Sequence, residues 1–386
     1  MANIKWTHIL GIAVTVFFTA LLLANPSVAL SGAYSALILC GTNVIPALFP
    51  FFVCSNLFLS LHVTAYLGQL LRPVMQPLFR VRAEGALAFV MGIISGYPIG
   101  AKVTADLVEQ GAIPRNQGER MLAFCNNSGP LFLLGAVGSG MLGNAKFGIL
   151  LYLAHFLSSI TVGLTLRCFG TKETYRCTTS TEKVISKPFG AMLGDAISNA
   201  ANSIFMVCGF VILFQIFLAM LDNLGIVILL EHFMLRLHLP ACLARPILYS
   251  FFEPTGGCRA CAQSLAGSPL LCLMMISAAV GWSGLSIHLQ VAAMVRHAGL
   301  RLHYYWGGKL LQAIVAPFYT FLLMIGMGDS VSVFAPQPIS VPGPLPLSLP
   351  QLTALSAVYF LLGAALLLLF VFCVRRSCRK RFHTSR

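Results

Sequence analysis

The sequence predicts an all-α polytopic membrane protein, in which two inverted repeats with broken, re-entrant helices are flanked by N- and C-terminal transmembrane helices. The first reason is composition: 58% of the 386 residues are hydrophobic, 9% are charged, and the mean hydropathy is +0.85. Such a chain cannot keep its apolar side chains in one water-soluble core beneath a polar surface. The other reasons are recurring long apolar runs and two apolar stretches, 92–130 and 248–290, that turn-forming and charged residues interrupt.

Apolar runs of about 20 residues, the length that crosses a bilayer as a helix, define the expected spans. They lie at residues 8–24, 34–60, 146–168, 203–222, 303–327 and 352–374. Shorter or interrupted apolar segments lie at 84–95, 119–142, 225–252 and 268–295. The first run, followed by Ser27-Val28-Ala29, also resembles a signal peptide with a small-residue cleavage site. We interpret it as an uncleaved first span, because further hydrophobic spans follow immediately.

An internal repeat relates these segments. Asn43-Val-Ile-Pro-Ala-Leu-Phe-Pro-Phe-Phe-Val-Cys matches Asn202-Ser-Ile-Phe-Met-Val-Cys-Gly-Phe in position and character. The segment 96–102 matches 253–259, and 127–130 matches 282–285. The matched segments lie about 155 to 160 residues apart, so their registers agree. Composition bias in Gly-rich membrane segments is the alternative explanation, but three matches in one register favour a repeat.

The repeat divides the chain into five predicted units. They are an N-terminal transmembrane helix (1–33), repeat 1 (34–168), a basic cytoplasmic linker (169–188), repeat 2 (189–328), and a Pro-rich connector with the last transmembrane helix and a polybasic tail (329–386). An odd number of crossings in each repeat inverts one repeat relative to the other, the arrangement with which many secondary transporters build a site near the bilayer midplane.

The net charge of +14 predicts orientation and partners. Arg and Lys residues follow the last span directly and also fill the central linker, so the positive-inside rule predicts a cytoplasmic C-terminus for a multi-pass integral membrane protein. No soluble module presents a basic face, which argues against nucleic acid as a partner. The polybasic tail is also suited to contact with anionic membrane lipids.

The first interrupted stretch supplies five candidate substrate-binding residues, Gly96, Tyr97, Pro98, Gly100 and Lys102. Proline breaks the helix and glycine permits close backbone approach, so this segment cannot be a lipid-facing loop and is expected to be sheltered by protein or to line a cavity. A helix that restarts at about residue 101 presents free N–H groups and a positive dipole end to an anion. The alternative is a structural Lys102, neutralised by Asp106 one turn later.

The second interrupted stretch supplies Glu253, Thr255, Gly256, Gly257 and Arg259, with a helix expected to restart at about residue 258. Arg259 would add positive charge there, as Lys102 does in the first half. The alternative is an Arg259 that pairs with Glu253 across its own turn and is purely structural.

Further candidates lie on the neighbouring segments. Asn126, Asn127 and Ser128 precede Gly129-Pro130 as a second re-entrant tip would, although such groups also hydrogen-bond between helices without touching a solute. In the second half Ser286 and Gln290 share a helical face, and His288 is either a proton relay or a structural hydrogen-bonding group. Lys309, His155 and Trp282 are further candidates of lower rank.

No cofactor, metal site or enzymatic activity is expected. Cys258 and Cys261 form a lone CxxC, without the second pair or the histidine that zinc ligation requires. Most other cysteines lie in apolar runs, where free Cys behaves as a small hydrophobe. The chain contains no Walker A motif, no HExxH and no GxSxG, so neither ATP-driven transport nor a recognisable hydrolase is supported.

The interrupted segments together resemble those of a known family. Gly92-Ile-Ile-Ser-Gly-Tyr-Pro-Ile-Gly-Ala-Lys102, Phe124-Cys-Asn-Asn-Ser-Gly-Pro-Leu-Phe132, Glu253-Pro-Thr-Gly-Gly257 and Gly284-Leu-Ser-Ile-His-Leu-Gln290 are similar to the YlbJ-type sporulation integral membrane proteins, which are nucleoside-recognition, or Gate-domain, membrane proteins. The resemblance covers about residues 34–327. The chain departs from it at the Cys-rich turn 257–261 and in the Pro-rich stretch 336–350.

The resemblance implies transport of dipicolinic acid across the outer forespore membrane during endospore formation. That solute is a planar aromatic dicarboxylate, so it agrees with the anion-binding helix starts inferred from the residues. Gate-domain relatives are also associated with nucleosides, because fold does not fix substrate. A nucleoside carrier and a membrane scaffold that recruits partners through the basic tail are therefore the alternatives. The sequence leaves the coupling ion, H⁺ or Na⁺, and the oligomeric state open.

Overall fold

The computed structural model describes residues 6–61, 63–169 and 188–326, and this part of the chain consists of fifteen α-helices without a β-strand. The first eight are α1 (Trp6–Ala24), α2 (Pro26–Leu39), α3 (Ile45–Ser60), α4 (Val63–Val74), α5 (Ala86–Ile94), α6 (Ile99–Glu109), α7 (Arg115–Cys125) and α8 (Ala145–Arg167). The others are α9 (Phe189–Asn223), α10 (Ile226–Arg236), α11 (Ala244–Phe252), α12 (Pro254–Ser264), α13 (Pro269–Trp282), α14 (Gly284–Met294) and α15 (His303–Gly326).

The predicted all-α membrane fold is confirmed. By length and composition four helical segments can cross a membrane: Ala145–Arg167, Phe189–Asn223, Pro269–Met294 and His303–Gly326. A fifth is possible if Gly11–Ala24 and Pro26–Thr42, which meet at a bend of 101°, count as one broken span. The predicted last span 352–374 and the polybasic tail lie outside the described residues, as does nearly all of the central linker.

Some element bounds differ from the sequence expectation. Helix α2 begins at Pro26, within the segment 1–33 that was expected to hold a single helix. The expected continuous run 34–60 is interrupted by π-helical turns at Cys40–Val44, after which α3 begins with proline in its first turn. Proline cannot donate an N–H to the preceding turn, so a change of helical geometry at this point relieves the conflict.

The two halves repeat one series of elements. A three-residue 3₁₀ turn precedes each interrupted stretch, Ala83–Gly85 in the first half and Ala241–Leu243 in the second. A nine-residue helix follows, α5 or α11, and then an eleven-residue helix, α6 or α12. Each series closes with a long helix, α8 with 23 residues or α15 with 24. Repeated lengths in the same order support the internal repeat.

The packing between the halves is reciprocal. Helix α6 of the first half packs against α14 of the second, while α12 of the second half packs against the π-helical segment Leu131–Met141 of the first. The long helices α8 and α15 pack against each other, and α15 also lies along α7 and α13. Helix α9 packs against α2 and α3 at the side of this assembly. The interrupted stretches are thus held between long helices.

Candidate functional site

The first half contains two helix breaks that are in backbone contact with each other, and we call this contact the first-half crossing. Helix α5 ends at Ile94 and α6 begins at Ile99, while α7 ends at Cys125 and the next helical segment begins at Leu131. A Cβ atom added at Gly96 would lie 2.6 Å from the Gly129 nitrogen, and one added at Gly129 would lie 2.7 Å from the Ser95 carbonyl oxygen. Only glycine permits this approach, and Gly96 also has a φ of +91°.

The second half repeats this arrangement. Helix α11 ends at Phe252 and α12 begins at Pro254, while α13 and α14 are separated by Ser283 alone. A Cβ added at Gly284 would lie 3.0 Å from the Glu253 nitrogen and 2.9 Å from Cδ of Pro254. Ser283 and Gly284 both have positive φ, at 73° and 74°. Each half therefore brings its two broken elements into backbone contact.

The two crossings meet at Tyr97. Its buried hydroxyl lies beside the Ser128 side chain of the first half, close enough to Glu253 and Cys258 of the second half for electrostatic interaction. The two interrupted segments therefore approach each other in the fold, with the phenol ring of Tyr97 between them.

The helix starts at the two breaks are not equivalent. The side chain of Glu253 caps α12 by accepting from the backbone nitrogens of Thr255 at 2.9 Å and Gly256 at 2.5 Å. Helix α6 begins after Pro98 without a side-chain cap. The sequence predicts that both helix starts offer N–H groups to a solute. At α12 the carboxylate of an acidic N-cap residue, Glu253, already accepts from two of those groups, whereas no side chain caps α6.

The two charges expected at the helix starts have other surroundings. Lys102 pairs with Asp106 at 2.8 Å and lies 3.4 Å from Oδ1 of Asn56 on α3. This is the structural alternative stated for Lys102. Arg259 is exposed on α12, and the Glu253 oxygens are hydrogen-bonded to backbone. The helices also begin earlier than expected, at Ile99 and Pro254, because each resumes directly at its proline.

A buried polar network connects α15 to the first-half crossing. Lys309 donates to the backbone carbonyl of Asn126 and, at 2.8 Å, to Oε1 of Gln312. Gln312 donates to Oδ1 of Asn127 at 3.0 Å, and the Ser128 nitrogen donates to Nε2 of His155 at 2.9 Å. The end of α7 is therefore stabilised by side chains of both long helices.

A second chain of contacts leads from the same crossing to α14. The Asn126 amide nitrogen donates to the Tyr305 hydroxyl at 3.4 Å, and Nδ1 of His288 lies 3.0 Å from that hydroxyl. The His288 ring packs among Trp282 and Trp306, with ring centroids 4.5 Å and 4.3 Å away. Aromatic faces and polar groups thus lie side by side.

Tyr305, Gln312 and Ser158 belong to this network although the sequence analysis did not single them out. Lys309 and Gln312 are three residues apart in an apolar span and share a helical face, which is the signal that identifies them. Tyr305 lies one turn before Lys309 on the same helix. Ser158 receives a 3.4 Å contact from the Gln312 amide.

Many polar atoms around the crossings are buried without a hydrogen-bond partner in the described part of the chain. Among the predicted site residues they are Tyr97 Oη, Asn126 Oδ1, Ser128 Oγ, His288 Nε2, and both Gln290 Oε1 and Nε2. Buried polar groups are normally paired, so a concentration of unpaired ones requires an explanation. Ser286, also predicted, is buried beside them on α14.

The space at this point is narrow. A crevice with about 150 Å³ of empty volume lies between Asn127, Ser128, Tyr152, His155 and neighbouring apolar residues. Its walls lie so close together that it would have to widen to admit a solute.

The remaining cysteines and a group of ionisable side chains on α6 form no metal site of the usual kind among the described residues. Cys258 and Cys261 are buried free thiols, with Cys272 nearby. Asp106, Glu109 and His297 bring one ligand atom each within 4.8 Å of one another, with Glu109 and His297 exposed. Asp106 also binds Lys102, so this group is better described as a polar contact between α6 and the segment after α14.

Comparison with known proteins agrees with this architecture. The Gate family, described as nucleoside recognition, matches residues 42–176. The sporulation integral membrane protein YlbJ of Bacillus subtilis (strain 168) is 34% identical over 328 residues, which is 80% of this chain and 80% of the relative. No solved structure gives a significant match.

Proposed function

The chain belongs to the family of the sporulation integral membrane protein YlbJ, and we propose that it is a secondary carrier or facilitator for a small aromatic dicarboxylate, with dipicolinic acid as the leading solute. The observation that carries the proposal is the cluster of buried, unpaired polar atoms where two pairs of broken helices meet. Broken helices at the contact of two repeats are where secondary transporters bind their solutes.

The chemistry of the cluster suits such a solute. Tyr97 and Gln290 have donors that are unused within the described residues, and the start of α6 has no side-chain cap. Carboxylate oxygens accept hydrogen bonds from groups of this kind, and those bonds are stronger than neutral ones. The rings of Trp282, His288 and Trp306 offer apolar faces to a planar ring. The solute proposed is therefore flat, aromatic and negatively charged.

Transport would proceed by movement at the backbone crossings. The glycine contacts of Gly96 with Gly129, and of Gly284 with Glu253, hold the broken elements together without interlocking side chains. The long helices α8 and α15 form the frame, and the short helices of each half would move against them to expose the site to one side and then to the other. The membrane proposed is the outer forespore membrane, with the C-terminus in the cytoplasm.

A nucleoside carrier is the second candidate. The nucleoside-recognition family model matches residues 42–176, which contain the whole first-half crossing. Amide groups and aromatic faces also suit a nucleobase. The two candidates differ in charge, because a neutral solute has no need of a cation at the site.

The test is uptake of radiolabelled dipicolinate into proteoliposomes that contain the purified full-length chain, with protein-free liposomes as the control. We expect saturable uptake that unlabelled dipicolinate suppresses and that excess uridine leaves unchanged. Labelled uridine uptake with no dipicolinate uptake would instead support the nucleoside carrier. A chain lacking Arg375–Arg386 should transport normally once inserted, whereas a scaffold that acts through its tail predicts no transport by either protein.

A further inference from the structure

A buried lysine on α15 contacts the first-half crossing with an unusual set of partners. Lys309 has no exposed surface, and its ammonium group donates to the Asn126 carbonyl and to Oε1 of Gln312. Among the described residues no carboxylate lies within 4.0 Å of its nitrogen. Lys102, in contrast, forms a 2.8 Å ion pair with Asp106.

An ammonium group in such a place is costly to bury. Removing a charge from water costs several kcal/mol even after the protein relaxes, unless an opposite charge accompanies it. Neutral carbonyl oxygens supply part of the compensation, and the carbonyl end of α7 adds the negative end of a helix dipole. An ammonium group also has three donors, of which the described contacts use two. The charge is therefore only partly compensated by the described part of the chain.

Several of the unpaired polar groups belong to residues around Lys309. Its charge is close enough to interact with His155 on α8 and with His288 on α14. Asn126, whose carbonyl it binds, also has an unpaired side-chain oxygen, and Ser128 has an unpaired hydroxyl. Tyr305, one helical turn before Lys309, joins Asn126 to His288. Residues from both halves thus surround this ammonium group without neutralising it.

We propose that Lys309 binds a carboxylate of the transported solute and thereby determines the preference for an anion over a neutral molecule. This assignment rests on the proposed function and names the cation of that site. Lys102 is then a structural residue, because its charge is already paired with Asp106. Arg259 is exposed and contributes no buried charge.

A purely structural role for Lys309 makes a different prediction. If its only task were to satisfy the Asn126 carbonyl at the end of α7, a neutral donor of similar length would serve as well. Lys309→Gln keeps an N–H donor and removes the charge, and Lys102→Gln makes the same change at a lysine whose charge is paired. The two variants therefore separate charge recognition from helix capping.

The experiment measures the half-saturation concentration for uptake of labelled dipicolinate into proteoliposomes. It also measures how strongly that uptake is inhibited by uridine and by picolinate, which has one carboxylate. We expect Lys309→Gln to raise the half-saturation concentration for dipicolinate by roughly tenfold to a hundredfold, which corresponds to the loss of one hydrogen bond to a charged group. Its inhibition by uridine should stay unchanged or become stronger. For Lys102→Gln the half-saturation concentration should stay within about threefold of the wild type, since the Lys102 charge is already paired with Asp106 at 2.8 Å and is not free to bind a solute.

Each outcome decides between the proposals. If a folded Lys309→Gln protein has the wild-type half-saturation concentration for dipicolinate, the role proposed for Lys309 is wrong, but the carrier proposal is unaffected. Wild-type protein that takes up no dipicolinate overturns the proposed function, and the role of Lys309 with it. If Lys309→Gln does not fold, Lys309→Arg keeps the charge and must retain the preference for dipicolinate over uridine; a folded Lys309→Arg protein without that preference overturns the inference.

Discussion

The two halves repeat their backbone but not their polar chemistry. In the second half the start of α12 is capped by the Glu253 carboxylate, which comes from the break itself. In the first half the start of α6 has no side-chain cap. The end of α7 is stabilised from outside its own helix pair, by His155 on α8 and by Lys309 on α15.

The difference indicates how a repeat produces an asymmetric site. Equal helix lengths and glycine crossings provide the same geometry twice, so each half can bring broken elements together. The proposed solute, a planar dicarboxylate, does not require the same chemistry from both halves. Polar groups and a buried cation therefore lie at the first-half crossing, to which α15 of the second half contributes Lys309, whereas the start of α12 is capped from within its own half.

The largest expected effect tests how closely the first half is packed. A Cβ at Gly100 would overlap the Cys125 carbonyl oxygen and lie 2.7 Å from the carbonyl carbon. Backbone cannot move aside as a side chain can, so we expect Gly100→Ala to destabilise the protein by about 3 kcal/mol, at the upper end of overpacking costs. The measurement is the apparent unfolding temperature of purified protein in detergent, followed by tryptophan fluorescence.

A glycine near the start of α12 whose nearest neighbours are side chains provides the control. A Cβ at Gly256 would meet the Tyr249 ring at 3.0 Å and a Glu253 oxygen at 3.3 Å, and both are side-chain atoms. Gly256→Ala should therefore change stability by about 1 kcal/mol or less, since alanine also favours the helix. Equal losses in the two variants would show that contact with backbone, rather than with movable side chains, does not decide the cost of a Cβ at these glycines.

The sequence predicted the positions of the helix breaks better than it predicted which side chains lie beside them. Proline and glycine act locally, so Pro98, Gly96 and Pro254 located the interruptions without knowledge of the fold. Lys102 and Arg259 were placed at the site because they follow those breaks closely. A helical face decides the direction of a side chain, and here it turns Lys102 toward Asp106 and Asn56. Lys309 lies more than two hundred residues from Lys102 in sequence, and only tertiary packing brings it to Asn126.

A smaller effect is expected when the second half is made to resemble the first. Glu253→Ala removes the cap of α12 and leaves the Thr255 and Gly256 nitrogens without their acceptor. We expect a loss of about 1 to 2 kcal/mol, the usual cost of deleting an N-cap side chain. Glu253→Gln keeps one acceptor oxygen and should lose less. Unfolding temperatures of the two variants measure the difference, and an unchanged Glu253→Ala protein would show that the cap does not stabilise this break.

The smallest effect is expected at Gln290, and its sign is opposite. Gln290 is fully buried, and neither atom of its amide has a partner among the described residues. Leucine has a similar volume and no group to desolvate, so Gln290→Leu should stabilise the solute-free protein by about 1 kcal/mol while weakening dipicolinate uptake.

Asn127→Leu is the matched control, because Asn127 bonds to the Phe124 carbonyl at 2.6 Å and to Gln312 at 3.0 Å. That variant should lose about 1 to 3 kcal/mol, because it removes two buried hydrogen bonds. If Gln290→Leu is destabilised as much as Asn127→Leu, the Gln290 amide is satisfied in the solute-free protein and does not belong to the set of groups open to a solute.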